Sequence, residues 1–246
     1  MEHTIGILGG MGPAATADML SKFVRFRQAS QDQQHIPVIA CSIPDIPDRS
    51  ACLLAGGPSP YAYLERYLHL LEQAGAECIV IPCNTAHFWY DRLQATANVE
   101  MISILDATLD ELPRGCRTLG LLATEATLAT GLYQQKIARH GLALVTPQAA
   151  RQQAVMRAIY ALKAGDKPTA QALLFPEIAH LIARGADTVI MGCTEIPLIL
   201  GEQSARFDCH FIDSTSALVR AAIRWYEHKK GETAQSKACL TASALA

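Results

Sequence analysis

Short apolar runs alternate with longer stretches of helical periodicity along most of this chain. The apolar runs predict strands at residues 4–8, 38–42, 78–81, 101–104, 118–122, 143–145, 188–191 and 210–212. The periodic stretches predict helices at 14–29, 60–74, 128–140, 149–164, 169–184 and 216–228, with a further helix beginning near residue 85. Strands that alternate with helices of this length are typical of parallel sheets covered by helices on both faces, so we expect an α/β fold.

The two halves of the sequence resemble each other. Residues 71–85 (LEQAGAECIVIPCNT) align with residues 181–195 (LIARGADTVIMGCTE) at a constant offset of 110 positions. A second match, at an offset of 114, pairs IGIL at 5–8 with LGLL at 119–122. The repeat is far longer than the unit of a solenoid. The pattern therefore predicts two pseudo-symmetric domains, each with a parallel sheet flanked by helices, and an active site in the cleft between them.

The predicted domain boundaries follow from this repeat. We place an N-terminal α/β domain at residues 1–105 and a C-terminal α/β domain at residues 106–212. The closing helix, taken with its preceding residues as 213–228, is expected to return to the first domain and complete it. Residues 231–246 are small and polar, and we expect a loosely held tail there.

Two cysteines occupy equivalent places in the two halves. Cys83 follows the predicted strand that ends at residue 81, and Cys193 follows the one that ends at residue 191. Ligands of open parallel sheets bind beyond the carboxyl ends of the strands, so both thiols are expected at the functional edge. Each also precedes a predicted helix N-terminus, whose dipole is expected to lower the pKa of a thiol below about 8.5.

A facing pair of thiols suits inversion of a stereocentre by proton transfer. A base must act on one face of the carbon and an acid on the other, and a thiolate and a thiol supply both. The alternative is that each cysteine merely fills a strand–helix turn, because free cysteine is often buried and inert. The matched positions favour the chemical interpretation. The remaining cysteines form no C-x-x-C motif and are interpreted as structural or incidental: Cys41, Cys52, Cys78, Cys116, Cys209 and Cys239.

Composition and charge restrict the class of protein. Half of the residues are apolar and 18% are charged, as in globular enzymes, and 21 basic residues nearly balance 23 acidic ones. Nucleic acid and anionic membranes are therefore not expected as partners. The N-terminus lacks the pattern of a signal peptide, and no apolar run approaches the roughly 18 residues of a membrane span, so we expect a cytoplasmic protein.

Several motifs resemble the aspartate/glutamate racemase family, in particular its aspartate racemase and broad-specificity branch. They are IGILGGMGP at 5–13, the IPDR-type stretch at 46–49, PCNTAH at 82–87, LGLLATEATLATGLY at 119–133 and MGCTEIPL at 191–198. The resemblance runs from Ile5 to about Tyr226. It implies a homodimeric isomerase that interconverts L and D amino acids, in which Cys83 and Cys193 form the acid/base pair without pyridoxal phosphate, metal or any other cofactor.

The resemblance also implies a set of substrate contacts. Asn84, Thr85 and Thr194 would bind the α-carboxylate and amine of a small amino acid, and Arg49 and Lys163 would hold the distal carboxylate of a dicarboxylic one. The other members of the implied site are Met11, Ala86, Thr124, Thr127 and Glu195.

Two turns distinguish the chain from strict glutamate racemases. Those proteins resemble Asp-Ser-Gly at the first turn and Cys-Thr-His at the second cysteine. Here the first turn reads GGM at residues 9–11, and the second reads CTE at residues 193–195. In addition, Ala126 stands where the family's Thr-x-Gly-Thr pattern has glycine.

Other interpretations of these residues remain open at this stage. Arg49 could be a surface arginine, Lys163 could serve only the C-terminus of its helix, and Asn84 and Thr85 could be helix caps. His87 and Glu195 could tune the thiols or point into solvent. Alternative functions are a related carbanion enzyme of the maleate isomerase, hydantoin racemase or malonate decarboxylase type, or a non-catalytic sensor of dicarboxylic amino acids.

Overall fold

The protein contains two parallel four-stranded sheets with the same topology. The computed structural model describes residues 2–243; Met1, residues 244–246 and the side chains of 234 and 236–243, including that of Cys239, lie outside the described residues. The strands are β1 (Ile5–Leu8), β2 (Val38–Cys41), β3 (Cys78–Val80), β4 (Glu100–Ile102), β5 (Thr118–Ala123), β6 (Ala143–Val145), β7 (Thr188–Gly192) and β8 (His210–Asp213). The first sheet has the order β2-β1-β3-β4 and the second the order β6-β5-β7-β8. The predicted α/β fold is confirmed.

The internal repeat extends to individual packing contacts. A Cβ atom added to Gly6 in β1 would lie 2.8 Å from the Cβ of Ala76, and one added to Gly120 in β5 would lie 3.1 Å from the Cβ of Ala186. The first distance is shorter than real Cβ contacts and the second is tighter than most of them, so both central strands favour glycine where a helix–strand turn crosses them. The same residue types meet at the same point of both sheets, at the offsets that the sequence predicts.

Helices cover the sheets and join the two halves. They are α1 (Pro13–Phe26), α2 (Arg49–Ala55), α3 (Tyr61–Gln73), α4 (Tyr90–Thr96), α5 (Ile104–Leu109), α6 (Glu125–Ala129), α7 (Leu132–Arg139), α8 (Ala149–Lys163), α9 (Lys167–Ala183), α10 (Ile196–Leu200) and α11 (Ser214–Ser243). Short 3-10 helices occupy Asp32–Gln34, Thr85–Trp89 and Gly201–Arg206. Helix α11 follows the last strand of the second sheet but packs against α1 and α5 of the first half. Among the described residues, no helix has the length and hydropathy to cross a bilayer.

One continuous apolar core lies under both sheets. It includes Ile5 and Ile7 of β1, Leu119 and Leu121 of β5, and Leu218 of α11, all fully buried. Each half also has one further cluster of buried apolar residues of its own. The two sheets are therefore held against each other by the same kind of packing that holds each sheet to its helices.

Several helices differ from the sequence prediction. Helix α2 lies in a stretch predicted as turns; the carboxylate of Asp48 caps it by accepting from the Ala51 N–H at 2.8 Å, and Gly56 ends it with φ +66°. Helix α5 was likewise not predicted. The predicted helix 128–140 is two helices, because Gly131 between them has φ +70°. The closing helix was predicted to end at residue 228 but continues to Ser243, into the segment interpreted as a tail. The predicted helix near residue 85 begins as a 3-10 helix.

Candidate active site

A single cleft collects side chains from both halves of the chain. Ten of the twelve predicted site residues line it: Met11, Arg49, Cys83, Asn84, Thr85, Thr124, Lys163, Cys193, Thr194 and Glu195. The other two, Ala86 and Thr127, are fully buried behind its wall. Strand β3 and the turn after it deliver Cys83, and strand β7 delivers Cys193, so the two thiols reach one cleft from equivalent strand ends.

Sequence reasoning missed five residues that line the cleft. They are Asp48, Ser50, Met156, Ile159 and Tyr160. The last three lie on α8, which also carries Lys163. Ile159, Tyr160 and Lys163 follow Met156 by three, four and seven residues, a spacing that places all four on one face of the helix. That spacing was visible in the sequence, and Lys163 could have pointed to the rest of the face.

The thiol of Cys193 is bound to a carboxylate. Its Sγ donates to Oε2 of Glu195 at 3.0 Å, and the Thr194 hydroxyl donates to the same oxygen at 3.3 Å. Burial, followed by the negative charge and the hydrogen bond of Glu195, raises the pKa of Cys193 well above its ordinary value. The prediction that a helix dipole lowers this pKa was wrong for Cys193, because burial, which has the largest effect, and the Glu195 carboxylate both raise it.

Two basic side chains, Lys163 and Arg49, line the same cleft as this carboxylate. Lys163 Nζ lies 3.8 Å from Oε1 of Glu195, and the Lys163 side chain is one-third exposed. Burial acts to lower the pKa of Lys163, but Glu195 and the two cysteines outweigh it and the pKa is raised, so the side chain is an ammonium. Arg49 is buried; its Nη1 donates to the carbonyls of Ile46 at 3.1 Å and Pro47 at 2.9 Å. Its buried Nε has no acceptor among the described residues.

Three threonine hydroxyls form a closed triangle across the two halves. Thr85 Oγ1 lies 2.8 Å from Thr124 Oγ1 and 2.9 Å from Thr127 Oγ1, and the last two are 2.9 Å apart. The Thr124 oxygen also caps α6 by accepting from the Thr127 N–H at 3.1 Å. Each hydroxyl has one proton and two lone pairs, so a closed triangle uses all three protons and leaves a free lone pair on Thr85 that can accept from a ligand donor in the cleft. Thr127 does not line the cleft itself but is hydrogen-bonded to Thr85 and Thr124, which do.

His87 is hydrogen-bonded to the backbone of the turn that carries Cys83. Its Nε2 accepts from the Ile104 N–H at 2.9 Å, so the proton is on Nδ1, which donates to the Cys83 carbonyl at 2.9 Å. Burial lowers the pKa of His87 to about 4, which keeps the ring neutral. The alternative that His87 points into solvent is wrong, because the residue is buried, and the alternative that it tunes a thiol stays a prediction.

The glycine-rich turn after β1 carries Met11, which lines the cleft. Gly10 has φ +87°, and a Cβ on it would lie 2.3 Å from the carbonyl oxygen of Ile43. Only glycine fits both the angle and the space. The Gly10 N–H donates to the Thr16 hydroxyl at 2.9 Å, which ties the turn to the first helix. The turn therefore holds Met11 in the wall of the cleft.

Comparisons with known proteins agree with this geometry. The structure is similar to the aspartate racemase of Picrophilus torridus, with a TM-score of 0.83, 30% identity and coverage of 91% of this chain and 94% of that one. It is also similar to an aspartate racemase homologue from Pyrococcus horikoshii OT3, with a TM-score of 0.73, 28% identity and coverage of 92% and 99%.

Sequence comparison leads to the same group. The broad specificity amino-acid racemase RacX of Bacillus subtilis is 28% identical over 228 residues, which cover 90% of this chain and 97% of that protein. Residues 8–222 match the model of a family described as Asp/Glu/Hydantoin racemase. The chain belongs to the Asp/Glu/hydantoin racemase family.

Proposed function

We propose that the protein is a cofactor-independent racemase that interconverts L and D forms of a dicarboxylic amino acid, with aspartate as the first candidate. The observation that carries the proposal is the convergence of Cys83 and Cys193 on one cleft from equivalent strand ends of the two halves. The similarity to aspartate racemases and to a broad-specificity racemase supports it. The homodimer implied by the resemblance and the cytoplasmic location expected from the sequence pattern stay predictions.

In this mechanism the two thiols have opposite roles in each direction. A thiolate at Cys83 takes the Cα proton of one enantiomer, and the thiol of Cys193 then delivers its proton to the opposite face of the carbanion. This leaves a Cys83 thiol and a Cys193 thiolate, which is the form that acts on the other enantiomer. Because Cys193 is hydrogen-bonded to Glu195 and has a raised pKa, the form with Cys193 protonated is favoured before substrate binds.

The electrostatics of the cleft favour a second carboxylate on the substrate. Arg49 has a buried Nε with no acceptor among the described residues, and Lys163 is an ammonium whose nearest carboxylate is 3.8 Å away. A buried guanidinium N–H without an acceptor is costly, so a ligand oxygen at this point would be bound strongly. The cation pair therefore favours aspartate or glutamate over a hydantoin, which has no carboxylate to place there.

Proton exchange at Cα tests this function directly. Wild-type protein in D₂O is incubated with L-aspartate and then with D-aspartate, under reducing conditions, while loss of the Cα–H signal is followed by NMR and the enantiomer ratio by chiral chromatography. We expect racemisation accompanied by deuterium incorporation. Substrate that stays unlabelled and optically pure while it demonstrably binds would favour the sensor instead.

Cysteine variants assign the two roles. Cys83→Ser and Cys193→Ser should each abolish racemisation, and each can retain exchange of only the enantiomer that the remaining thiol deprotonates. Cys116→Ser is the matched control, because Cys116 is a half-buried cysteine outside the cleft. Racemisation that persists in both single variants would refute the two-thiol mechanism.

A further inference from the structure

The carboxamide of Asn84 is held by a chain of hydrogen bonds that crosses the protein. Tyr133 Oη lies 2.7 Å from Asn84 Oδ1, and Asn84 Nδ2 lies 3.0 Å from Ser214 Oγ. Ser214 Oγ in turn lies 2.8 Å from the carbonyl oxygen of Met191. Tyr133 and Ser214 are both fully buried. The chain thus joins the residue after Cys83 to helices α7 and α11 and to the end of β7, two residues before Cys193.

The direction of every bond in this chain follows from its last member. A backbone carbonyl only accepts, so the hydroxyl proton of Ser214 must go to Met191. Ser214 Oγ can then only accept from Asn84, which requires the amide nitrogen to face it. The amide oxygen consequently faces Tyr133, whose hydroxyl donates. The orientation of the Asn84 amide is therefore fixed by its partners.

We propose that Tyr133 and Ser214 are positioning residues that lock the Asn84 carboxamide so that it offers the cleft an N–H donor for the substrate's α-carboxylate. The inference rests on the proposed function, which supplies the carboxylate. Of the two hydrogens on Asn84 Nδ2, one goes to Ser214, and among the described residues no protein group accepts the other. Asn84 lines the cleft, so the second hydrogen is available to a ligand there.

The lock matters because an unlocked amide has two nearly isosteric orientations. If the group turned over, Oδ1 would replace Nδ2, and an acceptor would meet the negative carboxylate. Proton abstraction moves further negative charge onto that carboxylate, so a donor there stabilises the carbanion while an acceptor opposes it. Tyr133 comes from the second half of the chain and Asn84 from the first, so the lock also orients the donor relative to both catalytic turns.

The inference is tested with Tyr133→Phe, which keeps the ring and removes only the hydroxyl, and with Ser214→Ala as an independent second variant. We expect each to lower kcat/KM for aspartate roughly 10- to 100-fold, the range for a misplaced reacting group. In an Asn84→Ala background, where there is no amide to position, the same changes should alter kcat/KM by less than about twofold. Tyr61→Phe is the matched control, since it removes a hydroxyl bonded to Glu65 within α3, outside the cleft, and should leave kcat/KM unchanged.

A merely structural role gives a different pattern. It would make the Tyr133→Phe loss equally large with and without Asn84, and that result would overturn the inference, as would an unchanged kcat/KM in both Tyr133→Phe and Ser214→Ala. The side-chain amide resonances of Asn84, assigned by their loss in Asn84→Ala, provide a readout without activity. They should move in Tyr133→Phe and stay fixed in Tyr61→Phe. A wild type with no Cα exchange would refute the proposed function, while these resonances would still decide whether the lock exists.

Discussion

His87 makes folding stability depend on pH in a definable window. Its pKa is about 4 in the folded protein, compared with 6.5 for an ordinary histidine, because the ring is buried and its Nε2 must accept from the Ile104 N–H. Between these values the unfolded chain binds the proton and the folded chain does not. Stability from this residue is therefore fully present above about pH 6.5 and is lost as the pH falls towards 4. A shift of this size corresponds to about 3 kcal/mol in the free energy of unfolding.

The effect can be isolated with His87→Gln. Urea unfolding of wild type and variant is followed by circular dichroism at pH 7.0, 5.5 and 4.0, so that carboxylates common to both proteins cancel in the difference. At pH 7 the variant should be less stable by about 1–3 kcal/mol, the cost of disturbed buried hydrogen bonds. Between pH 7 and pH 4 the difference should then change by about 3 kcal/mol in favour of the variant, which removes or reverses the wild-type advantage.

His140→Gln provides the matched control for loss of a histidine, because His140 is exposed at the end of α7. A difference between wild type and His87→Gln that stays constant from pH 7 to pH 4 would refute the reasoning. It would mean either that His87 is protonated in the folded state or that the ring can leave its buried position at little cost.

Three more predictions concern the cleft and its turn. Glu195→Gln removes a negative charge that, together with burial, raises the pKa of Cys193. Alkylation of Cys193 by iodoacetamide at pH 8, followed by peptide mass spectrometry, should therefore become faster. An unchanged rate would show that burial alone sets this pKa. Lys163→Met should raise KM for aspartate about 10-fold or more and leave KM for alanine, which has no distal carboxylate, unchanged. Equal effects on both substrates would show that Lys163 does not bind the distal carboxylate. Gly10→Ala should lower the free energy of unfolding by about 2–4 kcal/mol, because the added Cβ would meet the Ile43 carbonyl. Gly56→Ala, at a position with a similar φ but open space, should lower it by only about 1 kcal/mol. Similar losses for both variants in thermal melts would contradict the predicted clash.

The cysteine pair could be predicted from sequence because both cysteines lie at equivalent positions of an internal repeat. The strand-then-cysteine pattern repeats at one offset, and parallel sheets bring equivalent strand ends to the same edge, so Cys83 and Cys193 were expected in one cleft. The face of α8 that carries Met156 and Ile159 was not predicted. Its spacing is that of any amphipathic helix, and which face meets the cleft depends on packing between the halves.

The chemistry around Cys193 was harder to predict than its position. The sequence shows a thiol before a helix, which suggested a lowered pKa. The pKa is raised instead, first by burial of the thiol and then by the Glu195 carboxylate beside it, and only three-dimensional packing determines both. Helix α2 was missed for a different reason: prolines and glycines surround it, although Asp48 before it and Gly56 after it are ordinary start and stop signals.

The apolar core that contains both Ile5 and Leu119 limits how this protein can move and melt. Separating the halves widely would expose side chains from both central strands and from α11 to water, at a cost that a small ligand cannot offset. Substrate entry must therefore depend on local displacements at the rim of the cleft. By the same reasoning heat should disrupt both halves together, in a single cooperative calorimetric transition despite the duplicated architecture.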